Sequence, residues 1–138
     1  MIGKYQHTID AKGRVFVPAP LRKLLGEEFY VTICGEKCLQ IYTLDKWEQY
    51  LEKLNSMKQN EQKQLRPIFS YAAHCVPDGQ GRIQLPAHLR THADLTKNVT
   101  ILGTGNFVQI WDADTFAPID EAESSPDNIA EALANLDF

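Results

Sequence analysis

The chain has 138 residues and a hydrophobic fraction of 43%, which excludes a disordered protein and fits one or two small domains. No apolar run approaches the roughly 18 residues that span a bilayer, and the first residues lack the apolar core of a signal peptide, so we expect a cytoplasmic protein without a membrane partner. The formal net charge is −4, but the charges are unevenly distributed along the chain.

Acidic residues are concentrated towards the C-terminus. Eight of the 18 lie from Asp112 onward, where there is no Lys or Arg, so the first 111 residues carry 14 basic against 10 acidic side chains, a net of +4. A positive region of this kind attracts phosphate even when the whole protein is acidic. The acidic tail is expected to be solvated; the alternative is that it competes for the basic face.

The first part of the chain predicts two strands joined by a turn. Residues Tyr5–Ile9 alternate in the manner of a strand. Asp10–Gly13 supplies turn chemistry, because Asp bonds its own backbone and Gly adopts positive φ. Arg14–Val17 is the second strand, and Pro18 ends it. We therefore expect a hairpin with Arg14 as the first residue past its tip.

A short helix and two further strands are predicted to follow. Pro18 precedes a helix over Ala19–Leu25, since Pro is tolerated at the start of a helix. β-branched and aromatic residues then predict strands over Phe29–Cys34 and Cys38–Tyr42. The predicted order is therefore strand, turn, strand, helix, strand, strand.

The next segment is predicted to be largely helical. Apolar residues recur at helical spacing over Leu44–Leu54, and Thr43 or Asp45 can cap the start. After a polar break, Glu61–Ala73 predicts a second helix, although Pro67 argues against a straight one.

The second half of the chain repeats the first at a constant offset. The motif D-x-x-G-R occurs at Asp10–Arg14 and at Asp78–Arg82, and the offset of 68 also holds for the Pro and the Leu-Arg that follow. The corresponding strands are predicted at Cys75-Val76, Arg82–Leu85, Asn98–Leu102 and Phe107–Trp111, and the corresponding helix at Ala87–Ala93. Units of about 45 residues are too small to hold a large core alone. We therefore predict a mainly β protein with short helices, α+β in class, built from two packed units related by a pseudo-twofold axis.

The predicted domain organisation has four parts. These are a first unit over 5–47, a helical linker over 48–75, a second unit over 76–119 and an acidic tail over 120–138. Within the tail, Ser125-Pro126 is typical of a helix start. Ile129, Leu133 and Leu136 lie on one face of a last amphipathic helix, which we expect to be loosely attached or disordered.

The three cysteines, an odd number, fit a reducing compartment better than a disulfide framework. Cys34 and Cys38 could form half of a metal site, but none of the four histidines is spaced to complete it. Buried thiols in a hairpin are the favoured interpretation, and we expect no metal and no other cofactor.

A doubled turn is the simplest interpretation of the repeated motif, because Asp, Gly and Arg are common turn residues. However, both copies keep an Arg that a solvated turn does not need, and both keep the Asp four residues before it. An Asp beside an Arg can hold the guanidinium in one orientation. An oriented guanidinium suits phosphate or the O6/N7 edge of guanine, and a hairpin tip is narrow enough to enter a major groove.

Several ordered stretches also carry a family resemblance. They are Gly3-x-Tyr5-x-His7-x-Ile9-Asp10-x-Lys12-Gly13-Arg14-Val15, Pro18-x-x-Leu21-Arg22, Asp78-x-x-Gly81-Arg82-Ile83-x-Leu85-Pro86, Leu89-Arg90 and Ile110-Trp111. The two D-x-x-G-R motifs with the residues around them, in this order and at this spacing, resemble tandem swapped-hairpin, or double-split β-barrel, units of the AbrB class. It is similar to the MraZ family of bacterial transcriptional regulators over residues 3 to about 117.

The resemblance implies a partner and an assembly. The partner is double-stranded DNA carrying short G-containing direct repeats ahead of the division and cell-wall gene cluster, usually the protein's own promoter. The assembly is a ring-shaped homo-oligomer in the cytoplasm, associated with the nucleoid. Residue by residue, the resemblance implies that Arg14 and Arg82 contact bases or phosphates, and that Asp10 and Asp78 orient them.

The remaining loop residues receive roles from the same resemblance. Gly13 and Gly81 would let the backbone turn and approach DNA, and Lys12 would add a phosphate contact. The second loop has Gln80 where the first has Lys12, which makes it less basic. The two Leu-Arg pairs contain Arg22 and Arg90. For these arginines, a structural pairing within or between subunits is favoured over DNA contact.

Two other functions compete with DNA binding. One is an AbrB-like interaction module that holds a toxin-like protein partner through residues 119–138. The other is an enzyme, but the sequence has no nucleophile–base pair at a plausible spacing, no P-loop and no dinucleotide fingerprint. His7 and His74 precede the two turns and are more typical of structural or surface residues. We expect neither catalysis nor a small-molecule substrate.

Overall fold

The computed structural model describes residues 1–137 and has the α+β class predicted from the sequence, with two tandem repeats, but it is not mainly β, because more of its residues lie in helices than in strands. Its strands are β1 (Ile2–Thr8), β2 (Arg14–Phe16), β3 (Phe29–Ile33), β4 (Leu39–Thr43), β5 (Ala73–Cys75), β6 (Arg82–Gln84), β7 (Asn98–Thr104) and β8 (Val108–Asp112). Its helices are α1 (Ala19–Leu25), α2 (Leu44–Asn55), α3 (Gln59–Ser70), α4 (Ala87–His92), α5 (Ala113–Glu123) and α6 (Pro126–Asn135).

The strands form two antiparallel sheets whose orders reflect the repeat. The larger sheet has the order β1-β7-β8-β4-β3-β5, and the smaller is the β2-β6 pair. β1, β2, β3 and β4 of the first unit correspond to β5, β6, β7 and β8 of the second. Exchanging each strand for its counterpart gives the same strand orders, with the larger sheet read from its other end. The strand order is therefore symmetric under exchange of the two units.

The two units exchange strands with each other, and this differs from the predicted hairpins. β1 pairs with β7 of the second unit, and β5 pairs with β3 of the first. Between the two strands that flank the first turn, a single bridge joins Ile9 to Val15 before they diverge. The turn forms as predicted, but β2 then pairs with β6. Because neither unit closes a sheet of its own, each depends on the other for its core.

One hydrophobic core lies beneath the β2–β6 pair and draws equally on both units. Val15 and Ile83 point inward from the pair, and Leu21 and Leu89 join them from α1 and α4; each is at most 1% exposed. Alternation along a strand places every second side chain on the opposite face. The outer face of the pair, which we call the ribbon face, therefore carries Arg14, Phe16, Arg82 and Gln84.

The helices agree with the sequence except around Pro67 and in the tail. The side chain of Thr43 caps α2, as predicted. α3 begins two residues earlier than predicted, ends before Ala73, which belongs to β5, and continues through Pro67. Lys63, whose carbonyl loses its helical partner at the proline, is exposed and so open to water.

The last helix forms in the tail, where the sequence predicts one. Ser125 caps it by accepting a hydrogen bond from the amide of Asn128 at 3.3 Å, and none of its residues is buried. Within residues 1–137, no helix combines the length and the apolar character that crossing a bilayer would require.

Candidate nucleic-acid interface

The first D-x-x-G-R segment forms a closed clasp between Asp10 and Arg14. Oδ1 of Asp10 accepts hydrogen bonds from the amides of Lys12 and Arg14, both at 2.9 Å. Oδ2 of the same carboxylate accepts a bond from Nε of Arg14 at 2.7 Å. One oxygen thus holds the turn, and the other holds the guanidinium.

The second segment repeats this pattern bond for bond. Oδ1 of Asp78 accepts from the amides of Gln80 at 2.9 Å and Arg82 at 3.0 Å, and Oδ2 accepts from Nε of Arg82 at 2.9 Å. A duplicated turn requires only the backbone bonds. The duplicated bond to Nε shows that the orientation of the arginine is also repeated.

Each clasp leaves part of its arginine available to a ligand. Among the described residues, the side-chain hydrogen bonds of Arg14 and Arg82 use Nε, which leaves the two terminal NH₂ groups of each guanidinium without a protein acceptor. The side chains are 29% and 28% exposed. Two adjacent donors in a fixed plane are the arrangement that recognises a carboxylate, a phosphate or guanine bidentately.

Both clasp carboxylates titrate below their ordinary range. The pKa of Asp10 is lowered chiefly by the hydrogen bond from the backbone amide of Arg14, and that of Asp78 by the corresponding amide of Arg82. Desolvation acts in the opposite direction in both and is outweighed. The clasps therefore remain ionised at neutral pH, and each is an ion pair with no net charge.

The two turns are held at a fixed separation by bonds between the units. The amide of Val17 donates to the carbonyl of Gly81, and the amide of Leu85 donates to the carbonyl of Gly13, both at 2.9 Å. These bonds extend the β2–β6 pair into each turn. The two arginines are thus presented as one rigid pair.

Arg14 and Arg82 also line one shallow depression on the surface. Its volume is about 380 Å³, and its other lining residues are His7, Thr8, Asp10 and Phe16. The rings of His7 and Phe16 lie 5.5 Å apart. The sequence interpretation missed Phe16, which could have been found because it alternates with Arg14 on the same face of a predicted strand. The depression places both arginines beside an aromatic surface.

The two loop glycines form the tight turns that the sequence predicts, and each packs against an arginine of the other unit. Gly13 and Gly81 adopt φ of 77° and 81°, as their turns require, but both are buried. A Cβ at Gly13 would lie 3.0 Å from the guanidinium carbon of Arg90, and one at Gly81 would lie 2.6 Å from that of Arg22. Each glycine is covered by an arginine of the other unit, which sequence spacing cannot reveal.

Arg22 and Arg90 therefore have a structural role. Their Nε atoms donate to the carbonyls of Val17 at 2.8 Å and Leu85 at 3.0 Å, respectively. The guanidinium of Arg22 also lies 5.5 Å from the centre of the Phe16 ring. The pairing expected from the sequence is made with backbone carbonyls rather than with carboxylates.

Lys12 and Gln80 occupy equivalent exposed positions in the two turns. The backbone carbonyl of Lys12 accepts a hydrogen bond from the side chain of Gln84, which ties the first turn to β6. The side chain of Lys12 adds a positive charge to the first turn, whereas that of Gln80 is neutral. The two loops therefore share a clasp but differ in charge.

The two histidines considered for catalysis have different surroundings. His74 is 3.3 Å from Glu28 and packs against Tyr30, while His7 packs against Phe16. Within residues 1–137, no group of three or more His, Cys, Asp or Glu side chains could hold a metal ion.

A comparison with protein-family models gives one match, to a family described as "MraZ protein, putative antitoxin-like". The match comprises two tandem segments, residues 1–66 and 68–137. Each segment contains one clasp. The boundary between the segments agrees with the offset of the repeat.

Proposed function

Because the chain belongs to the MraZ family, whose members are regulatory and non-enzymatic, we propose that it is a sequence-specific DNA-binding transcriptional regulator. The observation that carries this proposal is the pair of clasped arginines. Arg14 and Arg82 project from one face of a two-stranded ribbon with their terminal NH₂ groups unengaged by the protein.

In the proposed complex the ribbon face enters the major groove. That groove is about 12 Å wide and admits a two-stranded β-ribbon. Arg14 and Arg82 each donate two hydrogen bonds to O6 and N7 of a guanine, while Asp10 and Asp78 hold the guanidinium planes in place. An arginine that is already oriented loses less side-chain entropy when it binds.

The charge of the clasps favours base recognition over phosphate contact. Each Asp–Arg pair is neutral as a unit, so it contributes little to the displacement of counterions from DNA. Lys12 is unpaired in the described structure and supplies a phosphate contact in the first loop. Specificity and electrostatic attraction are thus assigned to different residues.

Assembly raises the affinity of these small contacts. We extend the proposal to a ring of identical subunits that places several ribbon faces on direct repeats upstream of the division and cell-wall gene cluster, including the protein's own promoter. Linked weak contacts gain affinity because the second contact forms at high local concentration. The exchange of strands between units supports placing each unit in the swapped-hairpin class of AbrB.

A second candidate function is the capture of a protein partner by the tail. Ile129 and Leu133 are 46% and 45% exposed along α6, and Leu136, the residue just after it, is 67% exposed. Such an apolar row on an acidic helix is suited to a basic protein with an apolar groove. The antitoxin-like description of the family agrees with this candidate.

A DNA-binding titration separates these candidates. The probe is the labelled DNA segment upstream of the protein's own gene, titrated by fluorescence anisotropy at several salt concentrations beside a scrambled segment of equal length. Lys12→Ala should weaken binding to both segments alike and lower the salt slope by about one unit per contacting loop. A chain that ends at residue 124 should keep its affinity for DNA. Equal binding to both segments by the intact protein would leave the tail as the functional element.

A further inference from the structure

Two cysteines face each other across the tip of the β3–β4 hairpin, outside the ribbon face. The register pairs Ile33 with Leu39, so Cys34 and Cys38 form the next opposed pair. Their Sγ atoms lie 3.3 Å apart and share a hydrogen bond.

The two thiols have different surroundings. Cys34 is partly exposed to solvent, at the edge of the cluster that contains Cys38. Cys38 is fully buried and packs in a small cluster with Trp111 and Phe116, at the base of α5. One sulfur is therefore accessible, and the other is protected and immediately behind it.

The hydrogen bond between the two thiols also makes their pKa values, and so their reactivities, different. A hydrogen bond from the Cys38 thiol lowers the pKa of Cys34 to about 7, so the Cys34 thiolate is more abundant near neutral pH than that of an ordinary cysteine. The same bond, together with burial, raises the pKa of Cys38. Thiolate is the nucleophilic form, so Cys34 is the sulfur that attacks.

We propose that Cys34 and Cys38 form a redox modification site that a hydroperoxide converts to an intramolecular disulfide. The Cys34 sulfur attacks the peroxide oxygen, the O–O bond breaks, and Cys34 becomes a sulfenic acid with release of water, or of an alcohol from an organic peroxide. The Cys38 sulfur then attacks the Cys34 sulfur, and the hydroxyl group leaves as water with the Cys38 proton. Overall the two thiols lose two electrons and two protons, and the peroxide accepts them.

The hairpin can close this bond with a small movement. A disulfide requires Sγ atoms about 2.05 Å apart, so the observed gap must shorten by about 1.3 Å. The connecting residues Gly35, Glu36 and Lys37 are exposed, and no heavy atom lies within 4 Å of a Cβ built on Gly35. The tip therefore has room to adjust without disturbing the core.

The chain provides its own internal control in Cys75. This thiol is buried, and desolvation raises its pKa to about 11. It should react with iodoacetamide at least about tenfold more slowly than Cys34. Faster reaction of Cys75 than of Cys34 with iodoacetamide would contradict the assignment of Cys34 as the nucleophile.

Tryptic cleavage makes the test direct, because Lys37 lies between the two cysteines. The reduced full-length protein is treated with a small excess of hydrogen peroxide, blocked with N-ethylmaleimide and digested without reductant. Segments 24–37 and 38–46 should remain joined, with a loss of two hydrogens, and should separate on reduction. In Cys38→Ser, dimedone should label Cys34 and no joined pair should form; Cys75→Ser should behave as the unaltered chain does.

Three outcomes would overturn the proposal. The first is that Cys34 is oxidised no faster than free glutathione under the same peroxide. The second is a disulfide that joins two chains or involves Cys75. The third is persistence of a Cys34 sulfenic acid in the unaltered protein while Cys38 stays reduced.

Discussion

Replacing Asp10 by Asn separates orientation of the arginine from simple charge. The side chain of Asn keeps one carbonyl oxygen to accept from the amides of Lys12 and Arg14, so the turn is retained. Its NH₂ group replaces the oxygen that accepts from Nε of Arg14 at 2.7 Å, and two donors then face each other. The clasp is broken although the backbone is unchanged.

The two effects of this substitution on DNA binding have opposite signs. Removing a negative charge beside Arg14 should strengthen binding to any DNA, because local positive potential increases. Releasing the guanidinium should weaken binding to the operator, because one long side chain must be ordered again on each engaged loop. That ordering corresponds to about a two- to tenfold rise in Kd per engaged loop. Because the charge effect acts on operator and scrambled DNA alike, the ratio of their affinities should fall by the orientation effect alone, about two- to tenfold per engaged loop.

The assay is anisotropy titration of operator and scrambled DNA at two salt concentrations. Glu48→Gln is the matched control, since it removes one exposed negative charge from α2 without touching a clasp. Circular dichroism confirms that each variant is folded. If Asp10→Asn keeps the same ratio of operator affinity to scrambled-DNA affinity as Glu48→Gln does, Asp10 has no role in orienting Arg14.

Further predictions concern the glycine covered by the other unit and the response to acid. Gly81→Ala should lower the free energy of unfolding by about 2–4 kcal/mol, because φ of 81° disfavours Ala and the new Cβ meets Arg22. Gly79→Ala is the control, since a Cβ at Gly79 has open space around it. Thermal melting should show a fall in Tm of about 5–15 °C for Gly81→Ala and no such fall for Gly79→Ala. The pKa values of both clasp aspartates are depressed, so their contribution to stability is complete above the ordinary Asp range and is lost as pH falls below about 4. Urea midpoints at pH 6 and pH 3 should therefore diverge less in Asp10→Asn/Asp78→Asn than in the unaltered protein, and an equal divergence would contradict this.

The sequence alone predicted the features that depend on local chemistry. The offset of 68 located both turns, and the Asp–Arg spacing predicted the clasps because their bonds span only four residues. Pro18 and Pro86 likewise located the starts of α1 and α4. These signals lie within one or two turns of chain, where propensity and side-chain hydrogen bonding determine the structure.

What the sequence could not predict involves contacts between the units. Alternation identifies β1 as a strand but does not identify β7 as its partner, since periodicity carries no pairing information. The covering of Gly13 by Arg90 spans 77 positions and has no local signature. Pro67 was judged by its intrinsic effect on a helix, but exposure of the freed carbonyl allows the helix to continue. Long-range packing determined the first two outcomes, and exposure to solvent determined the third.

The most direct test of the proposed function is the operator affinity of Arg14→Ala/Arg82→Ala. Its control is Lys63→Ala/Arg66→Ala, which removes two exposed positive charges from α3 and leaves the ribbon face intact. If both clasped arginines read guanine, each contributes about 1–3 kcal/mol, so the clasp variant should lose about 30-fold or more in affinity for the operator relative to the control variant, and should lose much less affinity for scrambled DNA. Operator affinity equal to that of the control variant would show that the repeated motif is a repeated turn and nothing more.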